Sequence, residues 1–332
     1  MGLRSRIAVL GTRFGPPTIE AEELSDFDVE FVLGAAATAD ALVQDAGDAV
    51  AILAGSGPRF TREVLNRLPA CRAIVRYGVG TETVDLQAAT QAGILVANVP
   101  DYCTEEVATH TLALILACER KLLQAQRATA GGQWQIAGVR PLFSTEDQVL
   151  GIVGFGRIGQ AVARKAQPFG FEILVFDPIV TAGMAAERGV TMVDLAALLS
   201  RSDVVSLNAP LIDDTYHLIN AATIEHMKPT AFVVNTSRGG LIDEAALLDA
   251  LNRGRLAGAA LDVFEIEPVP GDHPLLHSVR CLVTPHMAWY TEQASERMRR
   301  LASREVARVL RGESPHHLVN PDVVRILADR KD

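Results

Sequence analysis

Val149-Leu150-Gly151-Ile152-Val153-Gly154-Phe155-Gly156-Arg157-Ile158-Gly159 decides the fold: an apolar run that reads as a buried strand ends in three glycines at G-x-G-x-x-G spacing. That spacing suits a pyrophosphate. Gly154 permits a tight turn, Gly156 lets backbone approach the phosphates, and Gly159 lets the next helix pack on the strand. The unpaired N–H groups at that helix start, around Arg157 and Ile158, then face the anion. Because three glycines at this spacing also occur in ordinary turns, the flanks carry the decision. Ala161, Val162, Ala163, Ala166 and Phe169 recur at helical spacing, and Phe171-Glu172-Ile173-Leu174-Val175-Phe176 reads as a second buried strand closed by Asp177. Asp177 stands about 20 residues beyond the middle glycine, where an acid meets an adenosine ribose. A carboxylate there repels a 2′-phosphate, so the expected cofactor is NAD rather than NADP. The competing reading is an Asp that caps the turn before Pro178.

Length and composition fit about two domains, since 332 residues exceed what one hydrophobic core usually serves. With 48% hydrophobic residues the chain is not disordered. A formal charge of −9 and the absence of a Lys/Arg run argue against a nucleic-acid partner. A small anionic substrate therefore has to be held by local positive charge. Cys71, Cys103, Cys118 and Cys281 are scattered without a C-x-x-C pair, as expected of free thiols in a reducing compartment. The first apolar run is too short for a signal peptide, and the apolar helix candidate over residues 107–118 is too short to span a bilayer. A cytoplasmic protein without membrane attachment is expected. His273 and His277 are four apart, but Pro274 between them and the lack of an acidic ligand pattern argue against a metal site.

Two α/β units follow from the pattern. In the first, strands are expected at residues 7–10, 29–32, 49–53, 73–76 and 94–97, with helical segments between them, such as 61–68, so the sheet is mostly parallel. In the second, strands are expected at 149–153, 173–176, 204–207, 232–235, 258–261 and 281–284. Residues 131–147 have little periodicity and read as an arm or loop. An amphipathic helix over 294–310 is expected to return to the first unit, giving a discontinuous domain of residues 1–101 plus 292–332 around an inserted domain of residues 102–291.

Several motifs in order carry a family resemblance: Arg76-Tyr77-Gly78-Val79-Gly80, Asn98-Val99-Pro100, the glycine loop with Asp177-Pro178, Asn235-Thr236-Ser237-Arg238-Gly239-Gly240, Leu261-Asp262-Val263-Phe264-Glu265-Ile266-Glu267-Pro268, and Thr284-Pro285-His286-Met287-Ala288-Trp289-Tyr290. Over almost its whole length the chain resembles the D-isomer-specific 2-hydroxyacid dehydrogenases, and it looks most like their C-terminal-binding-protein branch. The resemblance implies a Rossmann-type NAD-binding domain inserted in a flavodoxin-like substrate domain, a homodimer, and a small 2-keto or 2-hydroxy acid as substrate in a cleft between the domains. An NAD(H)-responsive dimeric scaffold is the alternative, because the binding proteins keep the same residues.

Hydride exchange at C2 of a 2-hydroxy acid requires a proton carrier, a cation for carboxylate and oxyanion, and a group that tunes the carrier. Arg238 follows the strand at 232–235, and the resemblance makes it the substrate-binding cation, a role its planar donors suit. His286 follows the strand at 281–284 as the acid/base, and Glu267 is expected to raise its pKa. Glu265 competes for that role, although the family's spacing from Asp262 selects Glu267. The resemblance also assigns Val79 and Gly80 as backbone donors to the substrate carboxylate, Arg76 as a second charge near it, and Asp262 as a neighbour of the nicotinamide. Ala209, Pro210, Thr215, Thr236 and Ser237 lie in segments that line the dinucleotide, and Arg238, His286 and Trp289 border it. Trp289 is expected to face an apolar or thioether substrate side chain. Asn208 departs from the histidine common before Ala-Pro, and Thr109 from an acid common in the crossing helix. Glyoxylate reductase, phosphoglycerate dehydrogenase and phosphite oxidation share the fold and the three residues, so side-chain preference stays open.

Overall fold

The computed structural model describes residues 4–12 and 14–329. Position 13 lies outside the described residues, as do the terminal residues of the expected first domain. The chain divides into two compact units, one of residues 104–290 and one of residues 1–103 with 291–332.

The first unit holds five parallel strands: β1 (Ser5–Leu10), β2 (Val29–Gly34), β3 (Ala51–Ala54), β4 (Ala73–Arg76) and β5 (Leu95–Ala97). They lie in the order β2-β1-β3-β4-β5, the flavodoxin-like arrangement. β3, β4 and β5 are buried throughout, which explains their apolar character, interrupted only by Arg76 at the end of β4. Helix Glu292–Leu310 belongs to this unit and buries Met298, Ala302, Val306 and Val309. Its Arg299 makes a bidentate pair with buried Glu20 at 2.6 and 2.8 Å, and the Tyr77 hydroxyl donates to the same carboxylate at 2.6 Å.

The second unit holds β6 (Val149–Val153), β7 (Glu172–Phe176), β8 (Thr191–Met192), β9 (Val204–Leu207), β10 (Phe232–Asn235), β11 (Gly258–Leu261) and β12 (Cys281–Val283). Their order is β12-β11-β10-β9-β6-β7-β8, all parallel, a Rossmann-type sheet whose strand order reverses between β6 and β9. Alternate residues feed opposite faces: Leu150, Ile152, Ile173 and Val175 join one apolar cluster, while Val153, Leu174, Val205 and Val233 join the other. β8 was not expected. Two residues at a sheet edge leave no readable period. The arm over 131–147 contains only two short 3-10 turns, Ile136–Val139 and Thr145–Asp147.

Candidate active site

The second-unit residues assigned to cofactor and chemistry follow the carboxyl ends of strands, where open α/β sheets receive ligands. After β6 the chain turns at Gly154, which has φ +87° and where a Cβ would lie 2.7 Å from the backbone of Asn208 and Ala209. No other residue fits there without moving the β9 loop. Gly159, in the first turn of helix Arg157–Ala166, is pressed on the Gly154 carbonyl, whereas a Cβ at Gly156 would meet nothing within 4 Å. Open space thus stands over the N–H groups that begin the helix. Asp177 caps the turn, as the competing reading expects, and also holds the glycine loop. Its Oδ1 accepts from Ile179 and Val180 N–H at 2.8 and 3.2 Å, capping the turn, and its Oδ2 accepts from Phe155 N–H at 2.7 Å, tying the glycine loop to β7. Beside this loop the Oδ1 of Asn208 is buried without a partner among the described residues. An open helix start, an acid at the strand end and an orphaned amide oxygen fit a dinucleotide.

β10, β11 and β12 supply the polar triad. His286 Nδ1 and Glu267 Oε2 are 2.6 Å apart, and the other oxygen of Glu267 accepts from Phe264 N–H at 2.9 Å. His286 sits in left-handed backbone at φ +51°, held by its N–H to the Asp262 carbonyl at 2.8 Å. The Glu267 hydrogen bond raises the imidazole pKa above its ordinary value of 6.5, against burial, and the charges of Glu267 and Asp262 add to the rise while Arg238 opposes it. For Glu267, burial pushes upward, but His286, the Phe264 N–H and Arg238 outweigh it and hold the carboxyl below 4.5. Arg238 therefore acts electrostatically on both partners. Its loop is shaped by Asn235, whose Nδ2 donates to the Arg238 carbonyl at 2.8 Å and whose Oδ1 accepts from Ser237 N–H at 3.0 Å. A Cβ on Gly239 would strike the backbone at Phe264 and Glu265 within 2.2 Å, so a glycine is required for this loop to lie against the segment carrying Glu267. Glu265 instead pairs with His217 Nε2 at 2.7 Å. The choice between the two glutamates is thus resolved by which imidazole each one faces.

Asp262 is fully buried, and its carboxylate accepts from the N–H of Met287 and Ala288, both at 2.9 Å, and from the Thr284 hydroxyl at 2.5 Å. It builds the turn that presents His286. Behind it, His110 Nε2 lies 3.1 Å from the Thr284 hydroxyl. The sequence did not single out Thr284, although its place two residues before His286 was the available signal. Other expected cofactor contacts turn their hydroxyls inward: Thr236 bonds Thr111 at 2.7 Å, Ser237 donates to the Ala209 carbonyl at 2.7 Å, and Thr215 donates to the Pro210 carbonyl at 2.7 Å. Those side chains shape the loops. Trp289 is half-buried, edge-on to Tyr290 with ring centres 5.4 Å apart. His273 and His277 bond Glu244 and the Gly271 carbonyl, respectively. The cysteines are free and buried, and burial lifts Cys71 and Cys281 to about 12.

In the first unit, Arg76 is buried at the end of β4 and donates to the carbonyls of Ala54, Gly55 and Gly80, while burial pushes its pKa down to about 10. Val79, next to it, is exposed, and its carbonyl accepts from the Asn98 amide at 2.7 Å. Arg76 thus clamps the turn that carries Val79 and Gly80.

A glycine loop open at a helix start, together with an acid-tuned imidazole and a guanidinium at strand ends of the same sheet, fits one class: dinucleotide-dependent oxidoreductases. The model of the D-isomer specific 2-hydroxyacid dehydrogenase NAD binding domain matches residues 112–288. The chain is 41% identical over 268 residues to a glyoxylate reductase from Korarchaeum cryptofilum, covering 80% of each chain. Among solved structures it resembles the D-lactate dehydrogenase of Escherichia coli (TM-score 0.81, 30% identity, 95% of this chain and 99% of that one). It also resembles the Aquifex aeolicus D-lactate dehydrogenase complexed with NAD and lactic acid (TM-score 0.82, 28% identity, 92% and 96%). The chain belongs to the D-isomer specific 2-hydroxyacid dehydrogenases, NAD-linked oxidoreductases that act on a CH–OH group. Among the described residues no helix is long and apolar enough to cross a membrane.

Proposed function

We propose that the chain interconverts small 2-keto acids and D-2-hydroxy acids, with His286 as general acid/base, Glu267 as its orienting and tuning partner, and Arg238 as the substrate-binding cation. The observation that carries this is the 2.6 Å contact between His286 Nδ1 and Glu267, with Arg238 acting on both. With Nδ1 committed to Glu267, Nε2 is the atom left to exchange a proton with the C2 oxygen. Bound NADH supplies the hydride that C2 receives in reduction. Arg238 holds the substrate carboxylate and stabilises charge on the carbonyl oxygen, which bidentate guanidinium geometry suits. In the first unit, Val79 and Gly80 are assigned as backbone donors to substrate, with Arg76 holding their turn.

Trp289 is assigned to the substrate side chain, in keeping with the binding-protein branch, so apolar and thioether 2-keto acids are preferred over glyoxylate. Replacing it by Ala should lower the ratio of their kcat/KM values to that of glyoxylate; an unchanged ratio removes Trp289 from specificity. The exposed apolar groups at the tip of the arm, Trp134 and Ile136, support a homodimer built on that segment. Light scattering on Trp134→Ser should then report a smaller species than the parent chain.

The decisive measurement is NADH oxidation with a panel of 2-keto acids. His286→Ala is expected to lose about 10²–10⁴-fold in kcat/KM while still binding NADH. Tight NADH binding with no turnover of any acid by the parent chain would overturn the reading in favour of a cofactor-responsive scaffold.

A further inference from the structure

At the edge of the seven-stranded sheet opposite the glycine loop lies a cavity of about 220 Å³. Its lining residues precede strands rather than follow them: Gln148 before β6, Asp203 before β9, and Arg280 before β12. Strands of three to five residues, rising about 3.3 Å each, separate the two edges by roughly 10–15 Å. The cavity is thus distinct from the cofactor edge, and it far exceeds the roughly 10–15 Å³ that one water needs.

Its walls are chemically divided. Glu119, the last residue of helix Thr104–Glu119, is 4% exposed, and burial together with the charge of Asp203 holds its carboxyl up at about 7, against the pull of Gln148, Lys121 and Arg120. Gln148 is 5% exposed, and its Oε1 is buried without a hydrogen-bond partner among the described residues. A buried acceptor left unmatched is costly unless something fills it. Across the space stand Lys121, Arg140 and Arg280, none of which has an ion-pair partner among the described residues. Lys121 adopts left-handed backbone, φ +47°, a conformation a long side chain takes only under constraint. Phe143 and Phe232 supply apolar surface between the two polar walls.

We propose that this cavity is a second ligand site, one that takes a free α-amino acid with an apolar side chain. The α-ammonium group donates to Gln148 Oε1 and pairs with the Glu119 carboxylate, the α-carboxylate meets Arg140 and Arg280, and the side chain lies on Phe143 and Phe232. Simpler anions use only half of the site. Phosphate brings no cation to the buried acid, and a 2-hydroxy acid satisfies Gln148 but adds no positive charge beside Glu119.

Calorimetric titration of the full chain, loaded with NADH, with L-leucine, N-acetyl-L-leucine, L-leucinamide and inorganic phosphate tests this. L-leucine is expected to bind saturably, one molecule per chain, and blocking either end should weaken binding by about tenfold or more, the loss of one good polar contact. Arg280→Ala, at an exposed position, and Gln148→Met should weaken L-leucine by a similar factor with NADH binding unchanged, while His286→Ala leaves it intact. The proposal is overturned if L-leucine shows no binding at millimolar concentration, if phosphate binds as well as L-leucine, if Arg280→Ala retains full affinity, or if His286→Ala abolishes it. None of these outcomes depends on turnover, so they are separable from failure of the dehydrogenase reading.

Discussion

His286 and Glu267 shift one another in opposite directions, and the signs fix a pH window. His286, raised above 6.5, contributes stability that is fully present below that value and is lost as pH rises through its folded pKa. Glu267, lowered below 4.5, contributes stability present above that value and lost as pH falls through its folded pKa. The pair is therefore fully charged between the two folded values. Reduction of a 2-keto acid needs the imidazolium, so its kcat/KM should fall as pH rises through the raised pKa of His286. In Glu267→Gln the largest cause of that rise is gone, leaving burial and Arg238 to push downward against the charge of Asp262, and the limb should move to lower pH. A pH profile with an unmoved limb would show that Glu267 does not tune the imidazole. The assignment of Glu267 shows what a sequence can say at this scale. Two glutamates stand two residues apart and only the family's spacing from Asp262 favours one of them; the fold turns Glu267 to His286 and Glu265 to His217.

Elements matter where a strand end or a helix face places such residues. The Gly239 loop reaches the segment carrying Glu267 because no Cβ intervenes, so Gly239→Ala should displace that segment and depress kcat more than it weakens NADH binding. Equal losses in both would mean a general disturbance of the unit. Helix Glu292–Leu310 presents Arg299 to Glu20, a pair buried on both sides, with burial working to raise the Glu20 pKa and the Arg299 and Tyr77 hydrogen bonds holding it low. Removing only the cation strands a buried carboxylate, so Arg299→Ala should cost about 3–5 kcal/mol in urea unfolding, while the double change Arg299→Met with Glu20→Leu should recover most of it. A cost below about 1 kcal/mol for the single change would place the pair among surface ion pairs instead. The helix was legible from its amphipathic pattern, yet its partner was not, because Glu20 is 279 residues away in sequence.

At the scale of the molecule, the apolar clusters among the described residues each stay within one unit: one packs on the five-stranded sheet through Ala8, Leu10, Ile52 and Ile74, while Ile7, Val9, Leu53 and Val75 are buried outside it, and two pack on opposite faces of the seven-stranded sheet. The second unit is continuous in sequence and carries its own core, so residues 104–290 alone should fold and bind NADH, detectable as quenching of tryptophan emission by energy transfer to the bound NADH. The first unit is made of two distant segments, and residues 1–103 without 291–332 should fail to give a cooperative transition. A cooperative fold from residues 1–103 would show that the returning helix is dispensable. Strand positions, the glycine loop with its acid, and the order of the motifs were all determined by the sequence alone, because they rest on periods and spacings of a few residues that neighbouring atoms enforce. The two-residue strand β8, the double duty of Asp177, the Thr284–Asp262 anchor behind His286, and the cavity under Glu119 were decided only by the tertiary structure, because each depends on groups brought together from different strand ends, and hydrogen bonding between them acts over a few ångströms of space regardless of separation along the chain.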